Sequence, residues 1–216
     1  VARALGAGDE GREADELAAL TPLSSLRRSF GGEVVLLTRS DEFGAQGFWL
    51  YLTAGHVASL VAALELAGAT RVDAATADVL RVECGVPLFH VDLDEDTIPL
   101  EAGLDTRAVN WTKGCYPGQE VLVRIRDRGH GRVVRKLVGM RPDGGVAPAR
   151  GSIVEADGRE IGRVTSSAWS LALDAPIAMG YVHRDFAEPG SRVQVVHGET
   201  RLDATVSELP FVPTAN

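Results

Sequence analysis

Residues 113 to 120 read Lys-Gly-Cys-Tyr-Pro-Gly-Gln-Glu, which sets an ammonium group, a thiol, a phenol, an amide and a carboxylate around two glycines and a proline. A thiol becomes reactive as its thiolate, which nearby positive charge or a helix N-terminus favours. Lys113 and the following Arg124, Arg126 and Arg128 bring positive charge to the neighbourhood of Cys115. Gly114 and Gly118 let the backbone approach a ligand closely. Cys115 is therefore a candidate catalytic or redox thiol. The competing reading is a tight turn with a small thiol packed under Tyr116, and local spacing on its own favours that turn.

Three other groups can do chemistry. Glu83 lies at the end of an expected helix, where a carboxylate faces the negative end of the macrodipole. Such a position suits a group held for a ligand, but also a solvated Glu or one neutralised by Arg81. The run Arg-Ile-Arg-Asp-Arg-Gly-His-Gly-Arg-Val-Val-Arg-Lys at 124–136 is basic within an acidic chain. It can receive an anion through charge-assisted hydrogen bonds, or be a solvated strand face with Arg124, Arg126 and Arg128 at period two. Trp49, Tyr51 and Tyr116 offer faces for a planar heterocycle, although rings of this kind more often fill cores. Two cysteines and five histidines without paired spacing do not compose a four-ligand zinc or iron–sulfur site.

The elements that must position these groups follow from periodicity. Residues 9–29 read as two short amphipathic pieces split at Pro22. Gly-Gly-Glu-Val-Val-Leu-Leu-Thr-Arg-Ser (31–40) and the stretch through Phe48–Leu52 read as paired strands. Val57, Leu60, Val61 and Leu64 mark one helix. A second begins at an Asp73 cap and stops at Gly85, with Pro87 beyond. Strands then helices indicate an α+β layer. From residue 133 short strands recur, with a hairpin at Asp157-Gly158 and further strands at 176–184, 191–198 and 200–209, the pattern of a small β-barrel. The expected division is an α/β layer over 1–110, a motif-bearing connection over 111–132 and a barrel over 133–216.

Net charge is −8 over 216 residues and the pI is near 5.1, which argues against wholesale nucleic-acid binding. No apolar run reaches the ~18 residues of a membrane span, and no secretory leader is evident. Two cysteines fit a reducing compartment with free thiols, so a cytoplasmic location is expected. The chain starts at Val1 and its only methionines are Met140 and Met179, which suggests a processed chain or a fragment.

Taken together, the motifs resemble the YgfZ-type folate-binding proteins, relatives of the glycine-cleavage T-protein (aminomethyltransferase). Every fixed position of their Lys-Gly-Cys-Tyr-x-Gly-Gln-Glu signature is met at 113–120. Leu-Arg-Val-Glu-Cys-Gly-Val-Pro (80–87), Ile-Pro-Leu-Glu-Ala-Gly-Leu (98–104) and the strands around 158–182 extend the similarity from about residue 30 onward. The resemblance implies a folate-binding core with a C-terminal barrel, and a longer natural chain whose N-terminal half is absent here. It implies that tetrahydrofolate or a derivative is the cofactor, with Glu83 on the pterin. Lys113 and some of the following arginines, Arg124 among them, would lie on the anionic tail, with Tyr116 at the site and Cys115 as the working thiol. It further implies folate-dependent help in building or repairing iron–sulfur enzymes, with iron–sulfur clients or assembly proteins as partners. Glu-Phe-Gly-Ala-Gln-Gly-Phe-Trp (42–49) and Pro-Leu-Phe-His-Val-Asp-Leu (87–93) depart from the aminomethyltransferase pattern. The alternatives are a tetrahydrofolate-dependent aminomethyltransferase and a ligand-free interaction module.

Overall fold

A computed structural model describes residues 1–5, 10–41, 43 and 46–213. The chain forms two compact units, Val1–Ala77 and Asp78–Pro213. The division falls inside a helix, while the expected connection at 111–132 lies within the second unit.

The first unit holds helix α1 (Glu10–Ala18), a three-stranded sheet of β1 (Ser25–Phe30), β2 (Glu33–Ser40) and β3 (Gly47–Tyr51), helix α2 (Val57–Leu66) and the start of α3 (Ala74–Glu83). The sheet order is β1-β2-β3, antiparallel throughout. Alternate residues of β2, Val35 and Leu37, are fully buried and join Leu5, Leu17 and Leu60 in the core. Phe48 and Leu50 of β3 pack on that side, while Trp49 and Tyr51 face solvent. These two rings therefore do not fill the unit's core.

The second amphipathic piece expected over 23–29 is not a helix but strand β1. Its period is two, with Leu26, Arg28 and Phe30 on the more buried face. Arg28 is tolerated there because α1 supplies two carboxylates. Its Nε donates to Glu13 at 2.7 Å, and a terminal nitrogen donates to Glu16.

The second unit continues from α3 through a turn-rich stretch to α4 (Gln119–Asp127) and six strands: β4 (Arg135–Pro142), β5 (Ile153–Ala156), β6 (Arg159–Ser170), β7 (Ala175–His183), β8 (Arg192–His197) and β9 (Thr200–Ser207). They close in the order β4-β7-β6-β5-β8-β9. Closure pairs every strand on both sides and leaves no edge. Met140, Val154, Val164, Val182, Val195 and Val206 pack inside. The β5–β6 turn has positive φ at both Asp157 and Gly158, as a two-residue primed turn requires. The α+β class with a C-terminal barrel holds.

Arg124, Arg126 and Arg128 do not share a strand face. Residues 119–127 are helical, with Glu120 in the first turn and Arg124 and Arg126 in the last, the order that the helix macrodipole favours. Among the described residues, no helix is long and apolar enough to cross a membrane.

At the β6–β7 contact a Cβ on Gly162 would fall 1.9 Å from the Tyr181 carbonyl oxygen. Backbone cannot yield as a side chain does, so Gly162→Ala should cost at least about 1–3 kcal/mol. Urea denaturation of the chain, compared with Gly145→Ala where the added methyl meets no atom within 4 Å and the backbone is not left-handed, measures the close-approach cost.

Candidate functional site

The C-terminal end of α3 gathers most of the buried charge of the second unit. Asp73 caps its start by accepting the Thr76 N–H at 2.8 Å, as read from sequence. Its end is Gly85, with φ +65° and a virtual Cβ 2.8 Å from the Leu209 side chain, so both conformation and space demand glycine there.

Arg81 and Glu83 are two positions apart and so point to opposite sides of the helix. Arg81 therefore does not neutralise Glu83. It is buried and donates Nε to Asp78 at 2.8 Å, one terminal nitrogen to the Val86 carbonyl at 2.8 Å and to Asp92 at 2.7 Å, and the other to the Ser166 hydroxyl at 2.8 Å. Asp92 is saturated in turn. Its other oxygen accepts from the Thr165 and Ser166 hydroxyls at 2.5 and 2.7 Å, and the Leu88 N–H donates at 3.0 Å to the oxygen that faces Arg81.

Glu83 is buried rather than solvated. Its Oε1 accepts from the Ser170 hydroxyl at 2.6 Å and the Ala172 N–H at 3.2 Å. Its backbone carbonyl, an orphan acceptor at the helix end, accepts from the N–H groups of Phe211 and Val212 at 2.9 and 3.2 Å. These donors offset the unfavourable dipole position. Among the described residues Oε2 receives no hydrogen bond. A pterin carries a paired N–H edge; Glu83 offers it one open, charged oxygen beside one already occupied, and fits such a ring through that oxygen.

The octapeptide is an exposed loop leading into α4. The Asn110 side chain shapes its approach by accepting the N–H groups of Thr112 and Lys113 at 2.9 and 3.1 Å. Gln119 holds the turn itself: its carbonyl oxygen accepts the Tyr116 N–H at 3.2 Å and its amide donates to the Cys115 sulfur at 3.9 Å. Cys115 is exposed, so it is not a thiol packed under Tyr116. Lys113 places Nζ 4.5 Å above the Tyr116 ring centroid. Arg126 pairs with Asp127 at 2.5 Å and covers the Trp111 ring. Arg124 is exposed, without an ion pair among the described residues. The structure joins Lys113 to Tyr116 but shows no bond from either to Glu83, Cys115 or Arg124. Exposed cations of this kind suit an anionic tail in water.

Glu101, from the Ile-Pro-Leu-Glu-Ala-Gly-Leu segment, is buried and accepts from Arg135 Nε at 2.8 Å, while its carbonyl takes the Leu137 N–H. Sequence reasoning missed Asp92, Ser166 and Ser170. Asp92 borders the acidic run Asp94-Glu95-Asp96, and its hydroxyl partners lie more than 70 residues away, beyond any local signal. Among the described residues no cluster of metal-ligating side chains forms.

Residues 135–213 match the family described as the glycine cleavage T-protein C-terminal barrel domain. The chain is 35% identical over 185 residues to an aminomethyltransferase of Halothermothrix orenii, covering 84% of this chain and 51% of that one. It is 33% identical over 210 residues to the mitochondrial aminomethyltransferase of Homo sapiens, covering 93% of this chain and 50% of the relative. The crystal structure of glycine cleavage system aminomethyltransferase T from Bartonella henselae superposes with a TM-score of 0.78 at 26% identity, covering 96% of this chain and 58% of that one. The chain thus spans about half the length of the curated relatives it matches.

Removing Arg81 strands a buried carboxylate. Arg81→Ala should lower unfolding free energy by about 3–5 kcal/mol, whereas Glu83→Gln, whose amide oxygen can still accept from Ser170, should fall well short of that; chemical denaturation of both variants measures the contrast. The two thiols should separate in alkylation rate. Cys84 is half-buried, and burial together with the Glu83 carboxylate pushes its pKa up, so at pH 8 iodoacetamide should label exposed Cys115 first, as peptide mass spectrometry reads.

Proposed function

We propose that this member of the glycine-cleavage T-protein-like superfamily is the C-terminal part of a tetrahydrofolate-dependent aminomethyltransferase-type protein. The observation that carries the reading is chain-wide similarity at about one-third identity to proteins named aminomethyltransferase. The buried Glu83, with one carboxylate oxygen left open, supports it. In this reading Oε2 of Glu83 orients the pterin by accepting its ring N–H or amino group. Ser170 and Ala172 hold the carboxylate fixed in direction. Lys113 and Arg124 attract the carboxylates of the folate tail, and Tyr116 holds the Lys113 ammonium in place. When bound, tetrahydrofolate supplies the amine nitrogens that accept a one-carbon unit.

A second reading has one observation in its favour. The Lys-Gly-Cys-Tyr-x-Gly-Gln-Glu signature is complete, and its Cys115 is exposed on a loop held by Gln119. That suits the YgfZ-type role, in which a folate-binding scaffold with a working thiol serves iron–sulfur enzymes in the cytoplasm. The comparisons favour the transferase reading.

Calorimetry with 5-formyl-tetrahydrofolate tests the folate assignment in the whole protein to which we assign this chain. Wild type should bind, and Glu83→Gln should weaken binding about tenfold or more, the worth of one hydrogen bond to a charged group. A whole protein that does not bind overturns the folate reading and leaves an interaction module. Formation of methylene-tetrahydrofolate from an aminomethyl donor, unchanged in Cys115→Ala, supports the transferase. Absence of transfer, with iron–sulfur enzyme activity in cells lost in Cys115→Ala, supports the second reading instead.

A further inference from the structure

Beneath the loop at 90–97 lies a cavity of about 510 Å³, walled by that loop and by strands β4, β6 and β7 of the barrel. It lies wholly within the second unit. Tyr181 is on its wall, 6% exposed; its hydroxyl is buried and makes no hydrogen bond of normal geometry, and its polar neighbour, the Thr97 side chain, already donates to Asp94. Buried hydroxyls are nearly always paired, so an orphan in a cavity wall points to a missing guest. Burial pushes the Tyr181 pKa up to about 12, which keeps the phenol a neutral donor.

The guanidinium of Arg135 lies 4.7 Å from the centroid of the Tyr181 ring. It uses Nε on Glu101, and among the described residues its two terminal nitrogens have no partner. Arg150 gives one terminal nitrogen to the His90 and Val91 carbonyls, and Arg163 stands 3.6 Å from Glu160. The carboxylates on the wall are Asp92, saturated by Arg81 and its other donors, and Asp94 and Glu160 near the opening. Unused donors therefore outnumber unused acceptors, but two rim carboxylates disfavour a doubly charged guest. Val91, Leu93 and Ile161 provide apolar wall.

We propose that this cavity binds a small monocarboxylate with an apolar body, separately from the folate elements. Its carboxylate takes the free edge of Arg135 in the planar, two-pronged manner of guanidinium–carboxylate pairs, and the Tyr181 hydroxyl donates to it.

Benzoate is the probe, with inorganic phosphate as the contrast, titrated into the isotope-labelled 216-residue chain by amide NMR. Benzoate should give saturable shifts confined to Leu93, Thr97, Gly162, Arg163 and Tyr181 and their neighbours, and phosphate should not. Tyr181→Phe removes a hydroxyl that makes no hydrogen bond of normal geometry in the fold, so its melting temperature should stay close to wild type while benzoate weakens about tenfold. Arg163→Glu, at an exposed rim position, should weaken benzoate as well and provides the test if Tyr181→Phe fails to fold. No saturable benzoate shift, equal or tighter phosphate binding, unchanged affinity in the variants, or displacement of benzoate by 5-formyl-tetrahydrofolate would each overturn the proposal.

Discussion

The buried pair of Arg81 and Asp92 is what the second unit is built around. One guanidinium and one carboxylate, both out of water, together tie the last turn of α3, the 86–93 loop and strand β6. A buried charge pair is not in itself a strong source of stability, because desolvation offsets much of its attraction. Its value here is directional. Arg81 donates four hydrogen bonds and Asp92 accepts four, so any shift of the helix end relative to β6 leaves a charge uncompensated. The surrounding core of Val82, Ile177, Met179 and Phe211 is apolar and would tolerate small slides; the ion pair would not. The helix end is thereby fixed in rotation, and the direction in which Glu83 points follows from it.

The same helix end shows how a residue badly placed for its own helix is made at home by its surroundings. Glu83 meets the negative end of the macrodipole, but it meets a hydroxyl and two sets of backbone N–H groups there as well. The segment from Leu209 to Val212 completes the arrangement. Its N–H groups satisfy the helix carbonyl, Leu209 closes over Gly85, and Phe211 lies so near Gly139 that a Cβ there would come within 2.8 Å of the ring. Glycines at 85 and 139 are thus the complement of two particular side chains.

Local chemistry was legible and long-range chemistry was not. Asp73 as a cap, Gly85 as a stop and Asp157-Gly158 as a hairpin turn each depend on backbone geometry within a few residues, and each appears where the sequence puts it. The strands of the barrel were readable because β-branched residues alternate with turns. Strand β1 was misread as helix because its one charged core-side residue, Arg28, gains its partners from α1. The strand face that was one of two readings of the 124–128 run is instead helix α4: Arg124, Arg126 and Arg128 repeat every second residue, while Leu122, Val123 and Ile125, which are half-buried, carry the helical pattern less visibly. Glu83 was singled out first by its place at the helix end, and its expected role on a pterin came from the resemblance. Its partner Ser170 is 87 residues away, and nothing in the local sequence of either announces the other. Cys115 was placed correctly in a loop, but its exposure could not be read from the octapeptide.

The two oxygens of Glu83 have different owners. One belongs to the turn after β6, through Ser170 and Ala172, and the other is open. A carboxylate is a conjugated group, so charge drawn toward a new donor on one oxygen weakens what the other can offer. A guest on Oε2 would be felt at the Ser170 turn as a loosened or re-angled hydrogen bond. The turn and the guest are in this sense competitors for a single delocalised charge, and the stiffness of the β6–β7 connection sets how much of that charge is free to be shared.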